Sequence, residues 1–74
     1  MPLYFYVEDI AYKTTGVAPQ YCSLHGEFIG YHVTGRKIKL SGKLGNAQCC
    51  FSLKQLRKES RDMVERYIQQ MEEK

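Results

Sequence analysis

The chain has no tryptophan, only two prolines and three cysteines, and no apolar run near the roughly 18 residues a membrane span requires. Each shortage excludes something. Three cysteines cannot all pair within one chain, whereas a small secreted domain stapled by disulfides carries an even set, so reduced thiols and a cytoplasmic setting are expected. The opening MPLYFYVEDI has neither the basic start nor the apolar stretch of a signal peptide, and no membrane partner is expected. At 74 residues there is room for one domain, 1–74, with one modest core. A hydrophobic fraction of 43% with 26% charged residues is that of a folded chain rather than a disordered one.

The hydrophobic pattern has a period of two for most of the chain. In LYFYV, Leu3, Phe5 and Val7 alternate with Tyr4 and Tyr6, which predicts a strand with both tyrosines on its outer side. Gly16 and Pro19 punctuate KTTGVAP, which reads as an exposed loop. A second strand is expected from Tyr21 or Cys22; its parity breaks between Leu24 or Phe28 and Ile29 or Tyr31, which asks for a bulge near Gly26 or Gly30. Thr34 and Gly35 suggest a tight turn. Beyond it, RKIKLSGKL alternates with Ile38 and Leu40 on one side and Lys37, Lys39 and Ser41 on the other. Gly45 and Asn46 suggest another turn, and AQCCF a last short strand with Ala47, Cys49 and Phe51 on one side.

From Ser52 the period changes to that of a helix. Ser52 with Gln55 three residues on is a capping-box pattern, and Leu53, Leu56, Met63, Val64, Tyr67, Ile68 and Met71 recur at three- and four-residue steps, interrupted by Ser60. The expectation is an α+β fold: an antiparallel meander of three to four strands, about 3–51, covered on one face by a single long C-terminal helix, about 53–72.

YCSLHGEFIGYH and the adjacent pair in NAQCCFSL raise the question of a metal. Cys22, His25, Cys49 and Cys50 add up to four nitrogen or sulfur donors, the number zinc takes. Adjacent cysteines on a strand point to opposite faces, however, and His32 could substitute only if a bulge turned it inward. Free cysteine commonly packs as a small apolar side chain, so Cys22 and Cys49 read as strand or core residues, and no metal or cofactor is expected. Catalysis finds no constellation either. Cys50 with His25 or His32 lacks an orienting group, Glu8, Asp9 and Glu27 are not a spaced acid–base pair, and the glycines are too scattered to cradle phosphate. No enzyme activity and no small-molecule substrate are expected.

The basic residues are what stand out. The net charge is a modest +3, but Arg36, Lys37, Lys39 and Lys43 follow one another with no acid among them, and Lys54, Arg57 and Lys58 crowd the start of the helix. There they oppose the macrodipole, which favours acids at that end by about 0.3–1 kcal/mol each. Asp62 with Arg66, and Arg61 with Glu65, offset part of this at the i, i+4 spacing. Lysines can neutralise phosphates while Tyr4 and Tyr6 stack on bases, which makes nucleic acid, or a nucleic-acid-binding protein complex, the expected partner. A sheet backed by a C-terminal helix recurs among nucleic-acid-binding domains, a parallel of architecture alone. The alternative is a protein-interaction module, an adaptor or inhibitor, since tyrosine and arginine suit interface hot spots. A homodimer through an edge strand or helix face belongs to the same alternative.

Overall fold

In the computed structural model, which describes residues 1–73, four strands form one antiparallel sheet in the order β1-β2-β3-β4. These are β1 (Tyr4–Val7), β2 (Ile10–Tyr21), β3 (Phe28–Ile38) and β4 (Leu44–Ser52). A 3-10 turn, Leu53–Gln55, leads to the single α-helix, α1, Lys58–Glu72. The expected α+β meander with one C-terminal helix is therefore the fold observed. No helix among the described residues is long and apolar enough to cross a membrane.

Several boundaries differ from the sequence reading. KTTGVAP is strand, the larger part of β2, and not a loop. Its proline is tolerated because β1 pairs only with Ile10–Lys13, so Pro19, opposite Tyr31 on β3, needs no N–H on its other side. Chain reversal after β2 occurs at 22–27, and the second long strand begins at Phe28 rather than at Tyr21 or Cys22. The expected bulge is present beside Gly30, where the register shifts between Gln20 and Tyr21. Thr34–Gly35 and Gly45–Asn46 are not turns but lie inside β3 and β4. The β3–β4 turn instead falls at 39–43, closed by the Gly42 N–H to the Lys39 carbonyl at 2.8 Å, with Gly42 at a φ of 87°.

Why Gly35 is a strand residue is seen in the core. The rings of Phe5, Tyr12 and Phe51 meet with centroids 4.9–5.9 Å apart. A Cβ at position 35 would fall 2.6 Å from the Phe5 ring. Glycine thus opens the central strand to an aromatic from the edge strand. Val33 completes this side of the sheet, and Leu56, Val64 and Ile68 pack on it from the helical layer.

The helical segment is broken in two. The Ser52–Gln55 capping box is real, but it serves the 3-10 turn, with the Ser52 N–H donating to Gln55 Oε1 at 2.9 Å. Extended backbone at Leu56 and Arg57 then separates that turn from α1. Ser60, the polar interruption of the apolar stripe, is buried, and its Oγ accepts the Tyr6 N–H at 2.8 Å. The helix thereby seals the free edge of β1, assisted by the Arg57 N–H donating to the Tyr6 carbonyl at 2.9 Å.

Candidate nucleic-acid interface

Strand alternation divides the sheet into a helix-covered side, with Phe5, Tyr12, Val33 and Phe51, and an open side. On the open side the register builds a row across all four strands. Tyr4 lies opposite Lys13, Lys13 opposite Arg36, and Arg36 opposite Gln48. None of the four strands contains an aspartate or glutamate. The acids are confined to the turns at Glu8, Asp9 and Glu27 and to the helical end of the chain. This face is therefore positive where it is charged at all.

Two anchors shape the row. The Arg36 Nε–H donates to the Gly45 carbonyl at 2.7 Å, which fixes the stem and leaves the rest of the guanidinium available to an anion. Tyr6, next along β1 on the open side, carries the Arg57 guanidinium 5.2 Å from its ring centre. Arg57, the residue that opens α1, thus folds onto an open-side aromatic and joins the helix start to the strand face. Further along β3, Thr34 accepts the Thr15 hydroxyl at 3.0 Å and donates to the Gly16 carbonyl at 3.3 Å, knitting the bulge on this side.

The remaining expected residues do not join this group. Lys37 pairs with Tyr12 and so faces the helix-covered side, not the side of Tyr4 and Tyr6 as the alternation in RKIKLSGKL suggested. Lys39 and Lys43 lie in the β3–β4 turn, where the Lys39 N–H bonds the Lys43 carbonyl at 2.8 Å. Together with Leu40, Lys37 and Lys39 border a shallow depression beside Asp9 and Ile10. Lys54 stands apart on the 3-10 turn, beside Ile29, Gly30 and Tyr31. Lys58 occupies the first turn of α1 beside Arg57, with Glu59 following.

Lys13 is the member the sequence reading passed over. It was hidden in a segment read as loop, yet the register sets it at the centre of the row between Tyr4 and Arg36.

The candidate metal donors are dispersed over the fold. Cys22 and His25 are in the β2–β3 turn region, Cys49 is half-buried against the core on the helix side, and Cys50 is exposed on the open side. Among the described residues no three His, Cys, Asp or Glu side chains come together to hold an ion. All three cysteines are free thiols.

Two tyrosines away from the row are perturbed. Burial, and secondarily the charge of the neighbouring Cys49, raises the Tyr12 hydroxyl above its ordinary pKa. Tyr31 is raised chiefly because its hydroxyl donates to Glu72 Oε1 at 2.6 Å, a bond lost on ionisation. Both belong to the packing of helix on sheet.

Comparison with protein-family models, with curated proteins and with solved structures finds no match to this chain. The functional reading therefore rests on the site itself.

Proposed function

We propose that the chain is a small non-enzymatic module that binds nucleic acid, alone or within a nucleoprotein complex, through the open side of its sheet. The observation that carries this reading is the row Tyr4–Lys13–Arg36–Gln48 on a face whose strands hold no acid. Lys13 and Arg36 would neutralise phosphates, and Tyr4 offers a ring, 49% exposed, on which a base can stack. Arg57 and Lys58 would extend the positive track at the helix start, beside Tyr6. Lys37, Lys39 and Lys43 would add a more diffuse attraction from the sheet's end. An open sheet face with aromatic and basic residues favours a single strand over a duplex, whose grooves call for a protruding reading element.

Fluorescence anisotropy with labelled single-stranded and duplex oligonucleotides over a salt series tests the proposal. Binding to the single strand that weakens linearly in log salt is the expected result, and no binding even at low salt would overturn it.

One observation favours the protein-interaction alternative. Tyr21, Leu24, Phe28 and Ile29, at the tip of the β2–β3 hairpin, are all more than half exposed. Such an apolar tip suits insertion into a partner protein's pocket. Protein capture abolished by Leu24→Asp, without loss of oligonucleotide binding, would separate this activity from that of the open side.

A further inference from the structure

The two outer strands are treated differently. Ser60 and Arg57 occupy the hydrogen-bonding groups of Tyr6 on the edge of β1, and Pro19 blunts the part of β2 that β1 leaves uncovered. On β4 a side chain meets the outward groups at one end alone among the described residues, where the Ser52 N–H donates to Gln55 Oε1 at 2.9 Å. The nine residues of β4, LGNAQCCFS, include no charged residue and no proline. Its only irregularity lies toward the turn, where Arg36 pairs with Gln48 but Ile38 with Leu44. From Gln48 to Ser52 the strand is regular, each residue pairing in turn with one of β3 from Arg36 back to His32.

Which groups point outward can be read from Ser52. Its N–H donates to Gln55 Oε1 rather than to β3, and the antiparallel alternation then turns the N–H and C=O of Cys50 and Gln48 away from the sheet as well. Unpaired outward groups on a neutral, regular strand are a template for another strand.

We propose that Gln48–Ser52 is a self-association edge, where β4 of a second copy of this chain pairs antiparallel about a two-fold axis at Cys50. The composition selects a second copy over a charged peptide. The segment offers no charge for an acidic or basic strand to recognise, and against itself it brings no like charges together. About Cys50 the pairing is complementary in size: the half-buried Phe51 lies opposite Cys49 of the other copy on the helix side, and Gln48 lies opposite Ser52 on the open side. The outward groups of Cys50 bond to each other across the axis, and the Gln48 N–H reaches the Ser52 carbonyl. Since the axis is perpendicular to the sheet, the open sides of both copies face the same way. Two rows containing Lys13 and Arg36 then form one surface. The edge and its register stand independently of the nucleic-acid reading.

Cys50 supplies a built-in reporter. A hydrogen-bonded antiparallel pair places its Cα atoms about 5.5 Å apart, within the roughly 4.4–6.8 Å a disulfide spans. Native mass spectrometry of the full chain under reducing conditions, without nucleic acid, is expected to show a dimer over a concentration series. Mild oxidation with diamide, which takes one hydrogen from each thiol, is expected to trap a covalent dimer whose peptide map joins Cys50 to Cys50. Two variants should return the chain to a monomer: Gln48→Pro, which removes an outward N–H but no bond to β3, and Cys50→Lys, which sets like charges on the axis at an exposed position. If Gln48→Pro loses its far-UV spectrum, Cys50→Lys decides. A reduced chain that stays monomeric at all concentrations, a dimer indifferent to Cys50→Lys, or trapping only through Cys22 would each overturn the proposal. Oligonucleotide binding by the unmutated chain, measured separately, tells the two failures apart: a monomer that binds is failure of this edge alone, and a dimer that does not bind is failure of the open face alone.

Discussion

The ring of Phe5 fills the place a side chain at Gly35 would need: a Cβ there would stand 2.6 Å from Phe5 Cε1 and 2.7 Å from the Lys13 carbonyl oxygen. A strand from the edge of the sheet thus reaches over its neighbour to the central strand, and the aromatic group of Phe5, Tyr12 and Phe51 is built on that contact. Gly35→Ala should cost about 1–3 kcal/mol through overpacking, offset in small part by the better strand backbone of alanine. Because the Lys13 carbonyl oxygen, a backbone atom, is almost as close as the ring, Phe5→Leu should relieve only a fraction of the cost. Urea denaturation of the two single variants and the double variant measures the coupling; a Gly35→Ala protein as stable as the wild type would remove the contact from the account.

Ser60 and Tyr6 give a second, opposite case, a polar residue on an apolar helix stripe that stabilises the fold. Ser60→Ala leaves the Tyr6 N–H without its partner and should cost about 1–3 kcal/mol. Ser60→Thr, which keeps the oxygen, should recover part of this. Hydrogen exchange at the Tyr6 amide gives the local readout: exchange accelerated in Ser60→Ala beyond the change in global stability is the expected result.

Thr14 is the converse. Its Oγ1 is buried with no hydrogen-bond partner among the described residues, on the helix-covered side of β2. Thr14→Val keeps the shape and removes the unsatisfied oxygen, so it should stabilise the protein by about 1 kcal/mol. Thermal unfolding of this one variant is a sufficient check, and destabilisation would indicate that the hydroxyl has a partner, such as an ordered water.

How much of this was legible beforehand depends on how local the cause is. The period change at Ser52 and the alternation in LYFYV are local, and both elements are present, although extended backbone at Leu56 and Arg57 divides the helical segment. Gly35 and Pro19 misled because their usual local meaning is a turn, whereas here each answers to a neighbour: Gly35 to the Phe5 ring, and Pro19 to the short reach of β1. The same error hid Lys13. Once KTTGVAP is strand, Lys13 falls between Tyr4 and Arg36, and the face of Lys37 changes because it must follow Tyr12. Tyr4, Tyr6 and Arg36 were identifiable as candidates from the sequence, but their grouping required the register.

Two raised tyrosines imply an alkaline limit to stability. A hydroxyl whose pKa is higher in the folded than in the unfolded chain holds its proton more tightly when folded. Its contribution is therefore fully present below the unfolded value of about 10 and is lost as pH rises through the folded value. Melting temperature should fall from about pH 10 upward. Tyr31→Phe, which cannot ionise and has no bond to Glu72, should be less stable at pH 7 yet fall less steeply with pH. Parallel slopes for the two proteins between pH 9 and 11 would show that Tyr31 is not a source of the loss.

Charge placement on the open face gives the most direct test of function. Lys13 stands at the centre of the row, whereas Lys54 lies beside Ile29 and Tyr31 on the 3-10 turn, outside it. Both lysines are exposed, so Lys13→Glu and Lys54→Glu change the net charge equally with little demand on the fold. If only overall charge mattered, the two would weaken oligonucleotide binding alike. If the row is the binding surface, Lys13→Glu should weaken binding at least tenfold and lower the log-salt slope by about 0.7 for the lost contact with a single strand, while Lys54→Glu leaves the slope unchanged. Arg36→Gln should behave like Lys13→Glu in slope, with an added stability loss because the bond to the Gly45 carbonyl goes with the guanidinium. Tyr4→Ala separates stacking from charge: it should weaken binding by about 1–3 kcal/mol at every salt concentration and leave the slope intact. Equal slopes for Lys13→Glu and Lys54→Glu would move the interface away from the open face, whatever the affinity.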